Sequence, residues 1–289
     1  MDSGDVVRGF TLKGFAALSS SVVISLGVSV AAGQIGVRVA PQPSDMLVHS
    51  PLGACRTGDH RGAEATHLRI ATWNIRAARS APLSDIAAEV AAMQADVIAL
   101  QEVDVRTRRS GFVDEPAALA AALGFHYAFA ASIKWDEGDY GLAVLSRWPL
   151  TDIRRHRLDA TTAIEPRIVL ETTACARGRP LRLFNHHADG WVASRESGFA
   201  ELRQIVRAHM GRGLFVLGDL NEQPDGLGIR GLIETGLVDL GSELGVRAEN
   251  RRRIDYLLAD PSLARASSRA RVWPTDKSDH HAMLADIEW

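Results

Sequence analysis

Five short polar motifs follow or end apolar, strand-like runs of this chain. In chain order they are Thr72-Trp73-Asn74-Ile75, Gln101-Glu102-Val103-Asp104, Gly218-Asp219-Leu220-Asn221, Arg253-Ile254-Asp255-Tyr256 and Ser278-Asp279-His280. Side chains at strand ends are held by a rigid scaffold, so they commonly build binding or catalytic sites. The mixture of carboxylates, amides and a histidine suits cation binding combined with proton transfer.

Glu102, Asn74 and Asp279 form the predicted cation site. Magnesium prefers oxygen ligands, commonly one or two carboxylates together with water and substrate. Glu102 follows the apolar run that ends at Leu100, Asn74 ends another strand-like run, and Asp279 adds a second carboxylate. We therefore predict a Mg²⁺ site at these residues, with Mn²⁺ as the alternative ion.

His280 and Asp255 are the predicted base pair of a hydrolytic reaction. An unperturbed histidine titrates near neutral pH, and a carboxylate can fix its tautomer. Asp219 and Asn221 are two residues apart after an apolar strand. If the extended conformation continues, both project to one face, where one orients water and the other holds a phosphate. His187 follows a further strand and could stabilise phosphoryl charge as an imidazolium.

Each of these residues, taken alone, also has an ordinary structural explanation. Asn74, Asp219 and Asn221 could cap or form turns. Asp255 could pair with the neighbouring Arg253. The joint arrangement favours the functional interpretation, because independent accidents would rarely supply every member of one mechanism in sequence order.

The motifs sit in a chain whose pattern is typical of a layered α/β domain. Apolar runs at 97–100 and 214–217 predict buried strands, and helical spacing predicts helices over 86–93, 117–123 and 196–210. Strands and helices mixed in this way predict two packed sheets with helices outside, in one domain from residue 67 to residue 289.

In this order the motifs resemble those of the endonuclease/exonuclease/phosphatase superfamily. The resemblance implies a four-layered α/β/β/α sandwich, in which two mixed sheets are flanked by helices and the site lies at one end of the sheets. It implies metal-site roles for Asn74, Glu102 and Asp279. It also implies positioning or catalytic roles for Asp219, Asn221, Asp255, His280 and His187, the last within Asn185-His186-His187-Ala188-Asp189.

Two other segments bear on the substrate. Glu165-Pro166-Arg167 resembles a segment of small bacterial members of that superfamily, which implies that Arg167 contacts the substrate phosphate. The stretch between Asp239 and Arg253 is shorter than the substrate loop of many relatives, so the substrate pocket is left open.

Composition is that of an ordinary globular protein, with 289 residues, 46% of them hydrophobic, and a formal net charge of -2. This charge excludes a strongly basic nucleic-acid-binding surface over the whole chain. A nuclease stays open, because a bound cation can supply local positive charge. Cys55 and Cys175 are too few for a disulfide framework, and one bridge or two thiols remain alternatives.

The N-terminal segment differs from the rest of the chain. Residues 14–37 contain no charged residue, Arg8 and Lys13 precede them, and Ala31-Ala32-Gly33 offers small residues for cleavage. We predict that residues 1–37 are a signal peptide or an N-terminal membrane anchor, and that the protein is exported or membrane-anchored. An ordinary buried helix is the alternative. Residues 38–66 have scattered prolines and no periodicity, which predicts a linker.

These observations predict a monomeric, divalent-metal-dependent phosphoesterase. Its substrate is a phosphate ester, with a phospholipid such as sphingomyelin, an inositol phosphate or nucleic acid all open. The alternative is a non-catalytic, membrane-tethered binding module on the same fold. A third interpretation is a scaffold that contacts anionic lipid through the basic run near Arg252.

Overall fold

The computed structural model describes residues 27–31, 34–38, 46–49, 67–159, 165–243 and 253–288. The chain divides into two compact units, Met1–Ala40 and Pro41–Trp289. In the first unit, strands β1 (Gly27–Ala31) and β2 (Gln34–Arg38) pair antiparallel. The remainder of the predicted signal or anchor segment, and Cys55, lie outside the described residues. Among the described helices, none combines the length and apolar character needed to cross a bilayer.

The second unit contains two mixed sheets. Its strands in chain order are β3 (Leu47–His49), β4 (His67–Asn74), β5 (Val97–Val105), β6 (His126–Trp135), β7 (Gly138–Ser146), β8 (Leu150–Arg157), β9 (Ile168–Ala176), β10 (Arg179–His186), β11 (Leu214–Asp219), β12 (Val238–Asp239), β13 (Asp255–Ala259), β14 (Ser267–Trp273) and β15 (Ala282–Glu288). One sheet has seven strands in the order β14-β15-β4-β5-β7-β6-β3, and the other has six in the order β12-β13-β11-β10-β9-β8. β4–β5 and β10–β11 pair in parallel.

The helices of the second unit are α1 (Leu83–Met93), α2 (Glu115–Leu123), α3 (Val192–Arg207), α4 (Leu227–Ile233), α5 (Leu240–Glu243) and α6 (Pro261–Ala266). Local signals account for several of their ends. The Asp114 side chain accepts a hydrogen bond from the Ala117 backbone N–H at the start of α2, and Gly124 ends that helix with a φ of 67°.

Alternation along the strands produces three apolar layers. In β4, Leu68 and Ile70 face the layer between the sheets, whereas Ala71 and Trp73 face α1 on the outside. In β11, Leu217 likewise faces the inter-sheet layer, and the other face packs under α3 and α4. Central strands are apolar on both faces because both faces are covered. The predicted α/β/β/α sandwich is confirmed.

The predicted linker over 38–66 needs a correction. Leu47–His49 pairs antiparallel with β6 and forms the edge strand of the seven-stranded sheet. The folded unit therefore begins before His67. A three-residue strand is too short for its alternation to be recognised in sequence.

Candidate active site

The polar motifs converge at one edge of the sandwich. Asn74 ends β4, Asp219 ends β11, and Asp255 begins β13. Asp219 and Asp255 are direct partners in the antiparallel β11–β13 ladder, so their carboxylates are neighbours. The remaining members are Glu102 within β5, His187 after β10 and His280 before β15. Contacts described below join all six in one network.

His280 lies between two carboxylates. Its Nδ1 is 3.0 Å from Oδ2 of Asp255, and its Nε2 is 3.5 Å from Oδ2 of Asp219. Burial alone would lower the pKa of His280, but its hydrogen bond with Asp255 and the negative charges around it raise the pKa to about 9. Burial, followed by the charge of Asp255, raises the pKa of Asp219 to about 7. The arrangement is that of a carboxylate-oriented imidazole facing a second carboxylate.

The segment that holds His280 is fixed to β4. The hydroxyl of Ser278 donates to the Asn74 carbonyl at 2.7 Å, and the indole N–H of Trp73 donates to the His280 carbonyl at 3.0 Å. Trp73 is fully buried. These two bonds set the position of the imidazole relative to the end of β4.

Asn74 connects Glu102 to Asp219. Its Nδ2 donates to Oε1 of Glu102 at 2.9 Å and to Oδ2 of Asp219 at 3.1 Å, while its Oδ1 accepts from the Arg76 backbone at 3.0 Å. Asn74 thus bridges the two carboxylates as a donor. Its predicted role as an oxygen ligand requires the amide to be turned by 180°.

Glu102 is delivered by a bulge in β5. The β5–β7 pairing shifts register between Leu100 and Val103, and Glu102 adopts a φ of 55°. Asn185 on the other sheet donates from Nδ2 to the carbonyls of Leu100 and Ala143, both at 2.9 Å. Both carbonyls lie next to the point where the β5–β7 pairing shifts register. The two hydrogen bonds from Asn185 therefore stabilise the bulge.

Sequence reasoning missed the roles of Asn185 and Gln101. Gln101 donates to Oδ1 of Asn185 at 2.8 Å and to the Thr72 hydroxyl at 3.0 Å, and all three side chains are fully buried. A buried polar group is costly unless it is bonded. The sequence did contain a signal for these roles, since both residues are polar and lie in otherwise apolar strands. Such residues must find hydrogen-bond partners when the sheets pack together.

The extended conformation predicted to continue through Asn221 does not do so. Asn221 has a φ of 49°, and its backbone N–H donates to Oδ1 of Asp219 at 3.0 Å, which makes a turn. Its Nδ2 donates to the Ala188 carbonyl at 3.0 Å. Near the end of β11, position 218 accepts only glycine, because a Cβ there would lie 1.9 Å from the His186 carbonyl oxygen. Asn221 still lies beside the site.

His187 points its Nε2 at Asp219, at 3.5 Å from Oδ2. Burial, reinforced by the charge of Arg167, holds its pKa well below 6.5. Burial therefore favours a neutral ring over the expected imidazolium. A neutral ring whose Nε2 carries the proton can still donate a hydrogen bond to an anionic oxygen.

Asp279 lies at the mouth of the site. Its side chain is 51% exposed, and its Oδ2 is 3.3 Å from Nε of Arg76. Arg76, Ala77 and Ala78 form a left-handed turn with φ of 52°, 49° and 46°. Among the described residues, the side chain of Asp279 contacts Arg76 and Ser278 rather than Glu102.

Arg167 lines a cavity of about 360 Å³ beside the catalytic cluster, together with Glu102, His187 and Asn221. Its Nη1 donates to Glu165 at 2.8 Å. Its Nε is buried and has no hydrogen-bond partner in the described part of the chain. Arg167 therefore borders the cavity with a donor left over, and its contact with substrate phosphate stays a prediction.

Arg253 is buried and pairs with Asp239, through Nη1 to Oδ1 at 2.8 Å and a second bond from Nη2. It does not neutralise Asp255, so the simple pairing considered from sequence is wrong. Being buried, it is also not available to a lipid surface. Arg251 and Arg252 lie outside the described residues.

The donor set fits a hard divalent cation. Asp219, Asp255 and His280 offer ligand atoms that all lie within 4.8 Å of one another. Oδ1 of Asp255 is buried with no hydrogen-bond partner among the described residues, which leaves an unused acceptor. Glu102 approaches the same cluster through Asn74. The cluster is rich in carboxylate oxygens, which Mg²⁺ and Mn²⁺ prefer.

The fold and the site define a class: a four-layered α/β sandwich with a carboxylate and histidine cluster at one edge of its sheets. The chain belongs to the Endonuclease/Exonuclease/phosphatase family, whose profile matches residues 71–280. Members of this family are hydrolases that act on phosphate esters as nucleases or phosphatases.

Solved structures show the same fold at low identity. A 3'-5' exonuclease from Neisseria meningitidis is 21% identical over 77% of this chain and 100% of its own, with a TM-score of 0.61. A family member from Beutenbergia cavernae is 24% identical over 77% and 71%, with a TM-score of 0.62. A mannosyl-6-phosphatase from Bacteroides thetaiotaomicron is 17% identical over 75% and 98%, with a TM-score of 0.62. No curated protein matches this chain.

Proposed function

We propose that this protein is a divalent-metal-dependent phosphoesterase in which His280 activates the attacking water. One observation carries the proposal: a continuous series of contacts runs from Asp255 through His280, Asp219 and Asn74 to Glu102. The series joins an oriented base to a carboxylate cluster, which are two requirements of metal-assisted ester hydrolysis.

The pair of Asp255 and His280 determines which nitrogen of the imidazole accepts the proton from water. Asp255 holds Nδ1 of His280 as a donor, so Nε2 is the atom that accepts a proton from water. The water oxygen forms a bond to phosphorus as the ester P–O bond breaks in line with it. The leaving oxygen takes a proton from solvent. Asp219 orients the water, because its Oδ2 lies 3.5 Å from Nε2 of His280.

Two neutral side chains and one positively charged guanidinium face the phosphoryl group in this proposal. His187 is held neutral by burial and donates from Nε2, and Asn221 lies beside it. Arg167 has an unused, buried Nε and contacts a phosphate oxygen in this proposal. A bound Mg²⁺ or Mn²⁺ would neutralise phosphoryl charge. Glu102 and Asp279 would hold it through carboxylate oxygens, and Asn74 would do so with its amide turned.

The substrate is a phosphate ester. The solved relatives bear the names of an exonuclease and a sugar phosphatase, so these names support both nucleic acid and small phosphate esters as substrate classes. Phospholipid headgroups and inositol phosphates are two further substrate classes to be assayed. Full-length protein is assayed with Mg²⁺, Mn²⁺ or EDTA against each of these classes. We expect hydrolysis of at least one class, and loss of it in EDTA.

His281 provides a matched control for the proposed base. It is exposed, and its ring contacts Thr275 rather than the cluster. We expect His280→Ala to lower kcat by at least about 10²-fold and His281→Ala to leave it within about twofold. Equal activity of the two variants would remove His280 from the mechanism. Mg²⁺-dependent ligand binding without turnover would instead support the non-catalytic binding module.

We also propose that residues 1–37 export or anchor the protein. The uncharged run over 14–37 and the small residues at 31–33 support this proposal. Cell fractionation combined with N-terminal sequencing tests it. Cytoplasmic protein that retains Met1 would contradict both forms of the proposal.

A further inference from the structure

The cavity beside the catalytic cluster continues away from it toward an arginine-rich wall. Its volume of about 360 Å³ falls in the range of about 300–1,000 Å³ typical of small-molecule sites. A second cavity of about 190 Å³ lies on the far side of this wall. Arg79 and Arg109 line both cavities, so they stand where the two meet.

Arg109 is held rigidly by a buried carboxylate. Its Nε and Nη2 donate to Oδ2 and Oδ1 of Asp104 at 2.7 and 2.8 Å. The side chain of Asp104 is fully buried, and it also accepts from the Thr107 hydroxyl. This fork leaves Nη1 of Arg109 without a hydrogen bond among the described residues. A guanidinium fixed in this way presents an oriented donor to an anion.

Two aromatic rings complete the wall. The guanidinium carbon of Arg109 lies 5.6 Å from the centroid of the Trp135 ring and 5.4 Å from that of Tyr140. Trp135 is 42% exposed, so part of its surface stays open to a ligand. Tyr140 is buried.

Arg79 adds a second positive charge at the same junction. Its side chain is exposed and forms no hydrogen bond or ion pair with any other described residue. Arg167, by contrast, belongs to the catalytic end of the cavity, where its charge acts on His187. The cavity lining thus places Arg167 near His187, and Arg79 and Arg109 where the two cavities meet.

From this placement we infer that Arg109 and Arg79 bind a second anionic group of the substrate. The preferred substrates are therefore small organic phosphates that carry a second phosphate or carboxylate, with the connecting ring against Trp135. The inference rests on the proposed function, because it assigns the scissile phosphate to the cluster around Asp219 and His280.

Matched substrate pairs test the inference. Glucose 6-phosphate is compared with glucose 1,6-bisphosphate, and adenosine 3'-monophosphate with adenosine 3',5'-bisphosphate, using full-length protein with Mg²⁺. We expect kcat/KM to be at least about tenfold higher for one bisphosphate than for its monophosphate, which corresponds to about 1.4 kcal/mol. A short DNA duplex with a 3'-phosphate is the third arm.

Two variants test whether Arg79 and Arg109 act on substrate binding rather than on the hydrolytic step. Arg79 is exposed, so Arg79→Gln should fold normally. Arg109→Gln removes the guanidinium that Asp104 holds in place. Arg79→Gln should raise KM for the bisphosphate about five- to tenfold, leave its kcat unchanged and leave the monophosphate unaffected. Arg109→Gln should raise the same KM and also lower the Tm, because the buried Asp104 loses its charged partner. Arg108→Gln is the control, because Arg108 is exposed, pairs with Glu137 and lies outside both cavities.

The outcomes distinguish this inference from the proposed function. Equal kcat/KM within each pair, or a DNA duplex as the best substrate, would overturn the second anion site while the phosphoesterase proposal stands. No metal-dependent hydrolysis of any ester would overturn the proposed function, and this substrate class with it. A bisphosphate preference that Arg79→Gln and Arg109→Gln both leave unchanged would remove the two arginines from recognition.

Discussion

Nε2 of Gln101 donates a 2.8 Å hydrogen bond to Oδ1 of Asn185, and this bond joins the two sheets directly beneath Glu102. Asn185 also satisfies two carbonyls at the β5 bulge, so one buried side chain supports the left-handed conformation of Glu102 from the opposite sheet. The site is thus supported by polar contacts between sheets as well as by the strand ends.

Replacing Asn185 should weaken both the fold and the site. Asn185→Ala removes the bond that Gln101 donates to Asn185 and the two bonds to the carbonyls of Leu100 and Ala143, so we expect the free energy of unfolding to fall by about 2–4 kcal/mol. Chemical denaturation measures this loss. Ser84→Ala, an exposed hydroxyl in α1, is the control and should change stability by less than about 0.5 kcal/mol. Equal losses for the two variants would mean that the inter-sheet network adds nothing.

Glu102 and Asp279 should contribute unequally to metal binding. Glu102 adjoins the carboxylate cluster, whereas Asp279 is 51% exposed and lies beside Arg76. We expect Glu102→Gln to weaken Mg²⁺ or Mn²⁺ binding at least about tenfold, and Asp279→Asn to weaken it less than about threefold. Calorimetric titration of each ion measures this directly. The reverse ranking would place the ion at the mouth of the site.

Asp255 should act on turnover rather than on substrate affinity. Asp255→Asn removes the charge that favours the working tautomer of His280, so we expect kcat to fall about 10²- to 10⁴-fold with KM little changed. Asp225→Asn, on an exposed loop, is the control and should retain full activity. A rise in KM with unchanged kcat would reassign Asp255 to substrate binding.

Glu115 should make stability depend on pH. Burial, aided by the charge of Asp104, raises its pKa from 4.5 to about 8. The folded state therefore binds an extra proton between these values, and stability falls as the pH rises through that window. Glu115→Gln keeps an acceptor for the Asp104 backbone N–H and removes this titration. We expect its Tm to decline less than that of the wild type between pH 5 and pH 8.5.

Thermal unfolding at a series of pH values tests the prediction for Glu115. Wild-type and variant curves that stay parallel across the window would show that this carboxyl does not titrate differently in the folded and unfolded states. Activity is measured alongside, because Glu115 lines only the smaller cavity and the variant should keep its kcat.

The elements that sequence predicted well are those with strong local signals. The helix predicted over 117–123 is α2, which starts two residues earlier and ends at Gly124 as expected. The strand β8 was not predicted, because it is partly exposed and its second half is rich in arginine instead of forming an apolar run. β3 was assigned to a linker for a related reason, since three residues cannot display a period.

The sequence by itself determined the layered fold and the strand ends that carry Asn74, Asp219 and Asp255, because periodicity and turn chemistry act over a few residues. Only the tertiary structure decided that Asn74 would meet Asp219 across 145 residues, and that Arg109 would be fixed beside Trp135 at the wall of a cavity. Such contacts depend on how two sheets pack and where a strand bulges, and no local spacing encodes either.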